Sequence, residues 1–249
     1  MRPLLVSLAL WSGVVGCSPQ SEPLPGPATS PATTDSLTAS SAPPSSSAAG
    51  CSERNAAVPP AGAPSGQLGD LDNDGKVDQV YVWEREGGER VFTVVTAAGG
   101  VTEWSEGNTS GADPVAYGVA NANEDGRPEL FVRPGRAVFV LAMSDCDLEP
   151  YVNDEGHPYA FDLGALGTGT GVGCVDADGD GRRDLVGLLR EQEEGDRVLW
   201  RRTIVRLEGD RAVNGTTDEG EYERPADRER IELLSDVSCG DQPWPAPVV

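Results

Sequence analysis

Residues that usually carry out catalysis are scarce in this chain of 249 residues. It has one histidine, His157, and among its 19 basic residues only Lys76 is a lysine. His157 is followed by Pro158 in a turn-like segment, where a histidine is usually only solvated. The sequence has no Gly-x-Ser-x-Gly, His-Glu-x-x-His or Walker motif. We therefore expect no enzymatic activity.

Carboxylates are the exception, because the chain has 41 of them. Two suitably placed carboxylates can cleave a glycosidic bond. The candidates for such a pair are the acids Glu103, Asp113, Asp227 and Glu229. A secreted, carboxylate-dependent glycan hydrolase is thus the alternative to a non-catalytic protein.

Positive charge is also scarce, and the formal net charge is −22. Proteins that bind nucleic acid need Lys and Arg side chains to displace the counterions of the phosphates. The composition therefore argues against a nucleic-acid partner.

Long apolar runs are absent except at the N-terminus. Residues 4–15 follow Arg2 and are about half as long as a membrane-spanning helix. The run ends in Val14-Val15-Gly16-Cys17, which resembles the lipobox of bacterial lipoproteins. That resemblance implies a signal peptide at residues 1–16 and a diacylglycerol anchor on Cys17. The protein would then be held by lipid at the outer face of the cell membrane. An ordinary signal peptide with a nearby cysteine is the alternative.

Large apolar side chains are nearly absent from the segment after Cys17. Residues 17–62 are rich in Ser, Pro, Thr and Ala. Such a composition cannot offset the entropy lost on ordering, so we expect a disordered tether. Residues 63–249 are left for one folded domain.

Cysteines are few, and the number left for disulfides is even once Cys17, expected to carry the lipid, is set aside. Besides Cys17 there are four, which in an exported protein predict two disulfides with three possible pairings. We favour Cys51–Cys239, which would join the two ends of the domain, together with Cys146–Cys174.

One acidic nine-residue pattern occurs three times. We name the copies loop one (residues 70–78), loop two (121–129) and loop three (176–184). Positions 1, 3, 5 and 9 carry oxygen ligands, position 6 is glycine, and an apolar stretch follows. Position 7 would offer its carbonyl oxygen. The candidate ligands are Asp70, Asp72, Asp74, Lys76 and Asp78 in loop one, Asn121, Asn123, Asp125, Arg127 and Glu129 in loop two, and Asp176, Asp178, Asp180, Arg182 and Asp184 in loop three.

This spacing suits calcium, a hard cation that takes six to eight oxygen ligands. Four carboxylates within nine residues would otherwise repel one another. Loop two has only two acidic ligands, so it should bind calcium more weakly or not at all. A polar turn between two strands is the alternative interpretation of each copy.

Position 12 distinguishes these loops from EF-hands, which place a bidentate Glu there. Here it is Tyr81, Val132 or Gly187. The pattern followed by an apolar strand resembles the FG-GAP/VCBS repeats of integrin-type β-propellers, over residues 66–190. The resemblance implies an all-β, β-propeller-like domain of three repeats with calcium-binding loops between the strands of each blade.

The rest of the domain predicts short strands joined by turns. Hairpins are expected around residues 86–88, 134–135, 153–156 and 193–195, and a short helix at 226–234. Closed propellers usually have four or more blades. Residues 190–240 could form a degenerate fourth blade, or the domain could self-associate.

The sequence thus favours a non-catalytic, calcium-binding surface lipoprotein that binds an envelope protein or a glycan. A purely structural envelope protein and the hydrolase are the alternatives.

Overall fold

The chain forms an all-β structure with one short helix in the computed structural model. The structure describes residues 50–107, 112–163, 170–239, 244 and 246–249. The expected signal peptide, Cys17 and residues 18–49 of the tether lie outside the described residues. In the described part, no helix has the length and apolar character that crossing a bilayer requires.

Thirteen strands in this part form three antiparallel sheets, none of them closed. Sheet A contains β1 (Ser65–Gly69), β2 (Asp78–Glu84), β3 (Arg90–Val95) and β4 (Val101–Glu106). Sheet B contains β5 (Val115–Ala120), β6 (Glu129–Arg133), β7 (Ala137–Ser144), β8 (Asp147–Pro150) and β9 (Ala160–Asp162). Sheet C contains β10 (Thr170–Val175), β11 (Asp184–Glu194), β12 (Arg197–Glu208) and β13 (Arg211–Glu223).

Three of the four predicted hairpins form: β2–β3, β6–β7 and β11–β12. The fourth, around residues 153–156, is different. β8 and β9 do not form a ladder with each other, because both pair with β7, one along each half of that strand. An isolated bridge between Val152 and Pro158 closes the intervening turn.

The suggested fourth blade at residues 190–240 is wrong. β11 and β12 form the hairpin expected around residues 193–195, and β13, which the sequence did not predict, pairs with β12, so residues 184–223 complete sheet C. The predicted helix forms as α1 (Arg228–Leu233). Its residue Ile231, with Leu234 beyond it, packs on Val198 and Trp200 of sheet C.

Sheet B is the central layer. Successive side chains of a strand point to opposite faces. Along β6, Leu130 and Val132 join an apolar cluster with sheet A, whereas Phe131 joins one with sheet C. On β7, Phe139 and Leu141 join the cluster with sheet A, whereas Val138 and Val140 join the cluster with sheet C. Sheet B is therefore apolar on both faces because both are covered.

Two disulfides form, as predicted, but the favoured pairing is wrong. The bonds are Cys51–Cys146 and Cys174–Cys239, with Cα atoms 5.4 and 4.5 Å apart. Residues near Cys51 run along the edge of β4, and Cys146 lies in the turn between β7 and β8. Val237 pairs with Val172 on β10, which brings Cys239 to Cys174. The pairing therefore follows contacts between neighbouring segments, and it does not join the two ends of the domain.

Residues 51–56, which the composition assigns to the tether, contact sheet A. Asn55 N and Ala56 N both donate to Val101 O, at 2.8 and 3.1 Å. At the other end, Val248 exchanges two backbone hydrogen bonds with Ala116 of β5. Both ends of the domain are thus held against sheets.

Candidate metal centre

The three loops occupy equivalent places in the three sheets. Loop one joins β1 to β2, loop two joins β5 to β6, and loop three joins β10 to β11. Each therefore connects the first and second strands of its sheet. The common sequence pattern is thus matched by a common structural position.

The position-9 carboxylate fixes the backbone of each loop by accepting from the amide at position 2. The distances are 2.8 Å for Leu71 N to Asp78, 2.8 Å for Ala122 N to Glu129, and 3.0 Å for Ala177 N to Asp184. The position-5 carboxylate likewise accepts from the amide at position 7, at 2.7–2.8 Å. These bonds tie the position-5 and position-9 carboxylates to the backbone of their own loop.

Two positions of each loop have left-handed backbone. At position 6 the glycines Gly75, Gly126 and Gly181 have φ of 86°, 92° and 87°, as the sequence pattern requires. Position 4 is also left-handed, with φ of 59°, 57° and 82° at Asn73, Glu124 and Gly179. The sequence interpretation did not use position 4, although asparagine and glycine are the residues that tolerate this conformation.

Loop one gathers three carboxylates. Asp70, Asp72 and Asp78 each offer an oxygen within 4.8 Å of the others. Asp78 is buried, and burial raises its pKa. Burial also raises the pKa of Asp72, and repulsion from Asp74 and Asp70 raises it further. Carboxylate groups held this close without a cation repel one another, so the donor set fits a hard divalent cation.

Loop three gathers the equivalent three, Asp176, Asp178 and Asp184, within the same 4.8 Å. Asp176 and Asp178 are exposed and Asp184 is half-buried. Loops one and three therefore have the same donors, but those of loop three are more exposed to solvent.

Loop two gathers no such group in the described part of the chain. Glu129 is fully buried, and its oxygens accept from Ala122 N and from Tyr151 Oη, the latter at 3.1 Å. Burial raises the pKa of Glu129 from 4.5 to about 7. Burial and the neighbouring Glu129 also raise the pKa of Tyr151. The sequence did not indicate this pair, since nothing near Tyr151 marks it as a partner of the loop.

The position-5 carboxylates are not members of the two groups, although Asp74 lies close enough to Asp72 to repel it. Lys76 Nζ lies 3.1 Å from Asp74 Oδ2, and Asp74 is not one of the three grouped carboxylates. Asp180 is likewise outside the loop-three group. Arg127 donates to Gly209 O at 2.8 Å and lies over the Tyr151 ring. Its side chain thus points away from loop two, whereas Lys76 contacts a carboxylate of its own loop.

A pocket of about 500 Å³ lies between loops one and two. Asp72 and Asn73 line it from loop one, Asp125 and Arg127 from loop two, and the Cys51–Cys146 disulfide closes one side. Loops two and three are joined by an ion pair of 2.8 Å between Glu124 and Arg183. The three loops are therefore neighbours.

The acids considered for glycoside cleavage lie on three different parts of the fold. Glu103 is on β4 and is ion-paired with Arg85, whereas Asp227 and Glu229 are at α1. Asp113 precedes β5. His157 lies in an exposed turn, 3.7 Å from Glu155.

Comparison with known proteins gives no relative: no family model matches the chain, and no curated protein or solved structure is detectably similar to it. The resemblance to FG-GAP/VCBS repeats therefore rests on the loops alone.

Proposed function

We propose that this chain is a non-catalytic, calcium-binding bacterial surface lipoprotein whose three sheets are propeller-like blades of the FG-GAP/VCBS kind. The observation that carries the proposal is the pair of three-carboxylate groups in loops one and three, built on one backbone frame. Oxygen donors without His or Cys ligands favour calcium over transition metals. Asp70, Asp72 and Asp78 would hold one ion, and Asp176, Asp178 and Asp184 the other.

The export of the protein has independent support. Two disulfides are expected in an oxidising compartment outside the cytoplasm. Cys17 would carry the lipid, and the serine- and proline-rich residues after it would hold the domain away from the membrane. The domain would present its loops to an envelope protein or a glycan.

Calorimetry tests the calcium sites. The full chain with Cys17→Ser, secreted in its oxidised form, should bind two calcium ions. Asp72→Asn together with Asp178→Asn should abolish the heat of binding. Asp125→Asn together with Asp196→Asn removes the same charge outside the two groups and should leave both sites intact. Undiminished binding in the first double variant would refute the assignment.

Thermal unfolding separates a bound ion from general screening of the net charge. Calcium at a hundredfold excess over Kd should stabilise the fold by about 2.7 kcal/mol per site. Magnesium prefers octahedral geometry and keeps its water, so it should stabilise far less. Equal shifts of Tm with both ions would mean that the effect is screening.

Cell fractionation tests the anchor. Cys17→Ser should move the protein from the membrane fraction to the soluble fraction or block processing of the signal peptide. Unchanged processing and retention would refute the lipid anchor.

A further inference from the structure

The first described residues of the chain lie on loop one. Cys51 N donates to Asp72 Oδ2 at 2.7 Å, across 21 residues of sequence. Gly50 lies so close to the carboxylates of Asp72 and Asp74 that a Cβ atom there would clash with both. The chain therefore enters the domain in contact with one of the candidate calcium ligands.

Contacts with two sheets hold this segment in place. On the side of sheet A, Cys51 O accepts from Gly100 N at 3.2 Å and from the Thr96 hydroxyl. On the side of sheet B, the disulfide joins Cys51 to Cys146. These contacts fix the Cys51 amide relative to Asp72, independently of any ion in the loop.

In the part of the chain that the structure describes, no amide from outside loop three donates to Asp178. Asp178 is exposed, and within the described residues the hydrogen bond to its carboxylate comes from Asp180 N of the same loop, at 3.0 Å. The two loops thus share a donor set, but in loop one amides from outside the loop bind two of the three carboxylates: Cys51 N binds Asp72, and Ala97 N binds Asp78 at 3.0 Å. Only the first of these amides belongs to the Gly50–Cys51 segment. Loop three is therefore an internal control for the effect of the segment.

We propose that Gly50–Cys51, held by the Cys51–Cys146 disulfide, completes the calcium site of loop one and couples that site to the tether. The inference rests on the proposed calcium function. The Cys51 amide is a positioning group, since it orients the Asp72 carboxylate and offsets part of its repulsion with Asp70 and Asp74. Loss of a hydrogen bond that orients a metal ligand typically lowers affinity 10–100-fold.

The coupling is reciprocal, because an interaction that raises calcium affinity must itself be strengthened by calcium to the same extent. Calcium in loop one should therefore hold Cys51 more firmly on the domain. The membrane-proximal end of the domain would then be docked in calcium and looser without it.

Single-site variants of the full chain with Cys17→Ser test this by calorimetry with calcium. Asp178→Asn leaves loop one as the binding site, and Asp72→Asn leaves loop three. Adding Cys51→Ala with Cys146→Ala should lower affinity about tenfold in the first background and less than twofold in the second. A similar loss at both loops would mean that the disulfide acts through general stability, which overturns the proposal.

Gly50→Ala tests the same contact with both disulfides intact. It should lower the affinity of loop one alone, whereas Ala57→Val, which adds bulk to an exposed part of the same segment, should not. Unchanged loop-one affinity in Gly50→Ala and in the cysteine variant would overturn the proposal.

Hydrogen exchange gives a readout that a purely structural role would not produce. Calcium should slow exchange of the Cys51 amide about tenfold in Asp178→Asn and leave it unchanged in Asp72→Asn. Calcium binding at loop one without this protection refutes the coupling but leaves the proposed function standing. No calcium binding at loop one in the unmodified domain refutes both.

Discussion

Loops one and two have the same backbone conformation but different side chains around it. Both use the position-9 carboxylate to accept from the amide at position 2, and both are left-handed at positions 4 and 6. Loop one surrounds its frame with Asp70, Asp72 and Asp78. Loop two instead ties Glu129 to the Tyr151 hydroxyl. The frame therefore forms without four acidic ligands, and we propose that the number of carboxylates decides whether the loop binds calcium.

The largest expected difference between the loops is in the pH dependence of stability, and Glu129→Gln tests it. The pKa of this carboxyl is 4.5 when free and about 7 in the fold, so between these values the folded protein binds more protons than the unfolded chain. The free energy of unfolding without calcium should therefore fall by about 3 kcal/mol as pH rises from 4.5 to 7. Glu129→Gln should remove this fall, since its amide can accept from Ala122 N and donate to Tyr151 Oη.

Urea unfolding at several pH values measures the effect. Asp184→Asn changes the same loop position at a half-buried site and should leave the fall in place. A fall that persists in Glu129→Gln would show that another group carries it.

Giving loop two the four acidic ligands of loop one should change the free energy of unfolding by a smaller amount. Asn121→Asp, Asn123→Asp and Glu129→Asp together restore four acidic ligands on the existing frame. Calorimetry should then find three calcium ions instead of two. At ten times Kd the new site should add about 1.4 kcal/mol to the free energy of unfolding.

Tyr151→Phe alone is the control, because it frees Glu129 from the hydroxyl but adds no charge. It should leave two ions bound. A third ion in this variant would mean that Tyr151, and not the charge count, keeps calcium out of loop two.

The smallest effect is expected at position 4. Left-handed backbone costs about 1–2 kcal/mol for a residue such as Glu124, whereas Asn73 tolerates it. Glu124→Gly should raise the free energy of unfolding by up to about 1 kcal/mol after the loss of its ion pair with Arg183. Asn73→Gly should be nearly neutral in the same chemical denaturation, and Arg183→Gln isolates the ion pair. Equal effects at both positions would indicate that the strain does not depend on side-chain type.

Local patterns predicted the parts of this fold that depend on neighbouring residues. The spacing of acids and glycine predicted the three loops, and alternating apolar residues with Gly-containing turns predicted β2–β3, β6–β7 and β11–β12. The length of β13 was not predictable, because its residues 214–221 are mostly exposed and polar and are held mainly by pairing with β12.

Contacts between distant segments were beyond these patterns. Four cysteines allow three pairings, and the choice depends on which strand edges residues 51 and 239 follow. The Glu129–Tyr151 pair depends on the position of the turn after β8. The hydrogen bond from Cys51 N to Asp72 involves a segment that its composition assigns to the tether. Each of these features is set by tertiary packing.

The two-sided burial of sheet B has a consequence for the order of folding. A sheet with Phe131 on one face and Leu130 on the other exposes an apolar surface whenever either neighbour is missing. Sheet A precedes it in the chain, but sheet C is completed only at Glu223. A chain emerging from its N-terminus would therefore keep one face of sheet B uncovered until β13 arrives. We expect the three sheets to unfold in one cooperative transition, with the slowest amide exchange in β6 and β7.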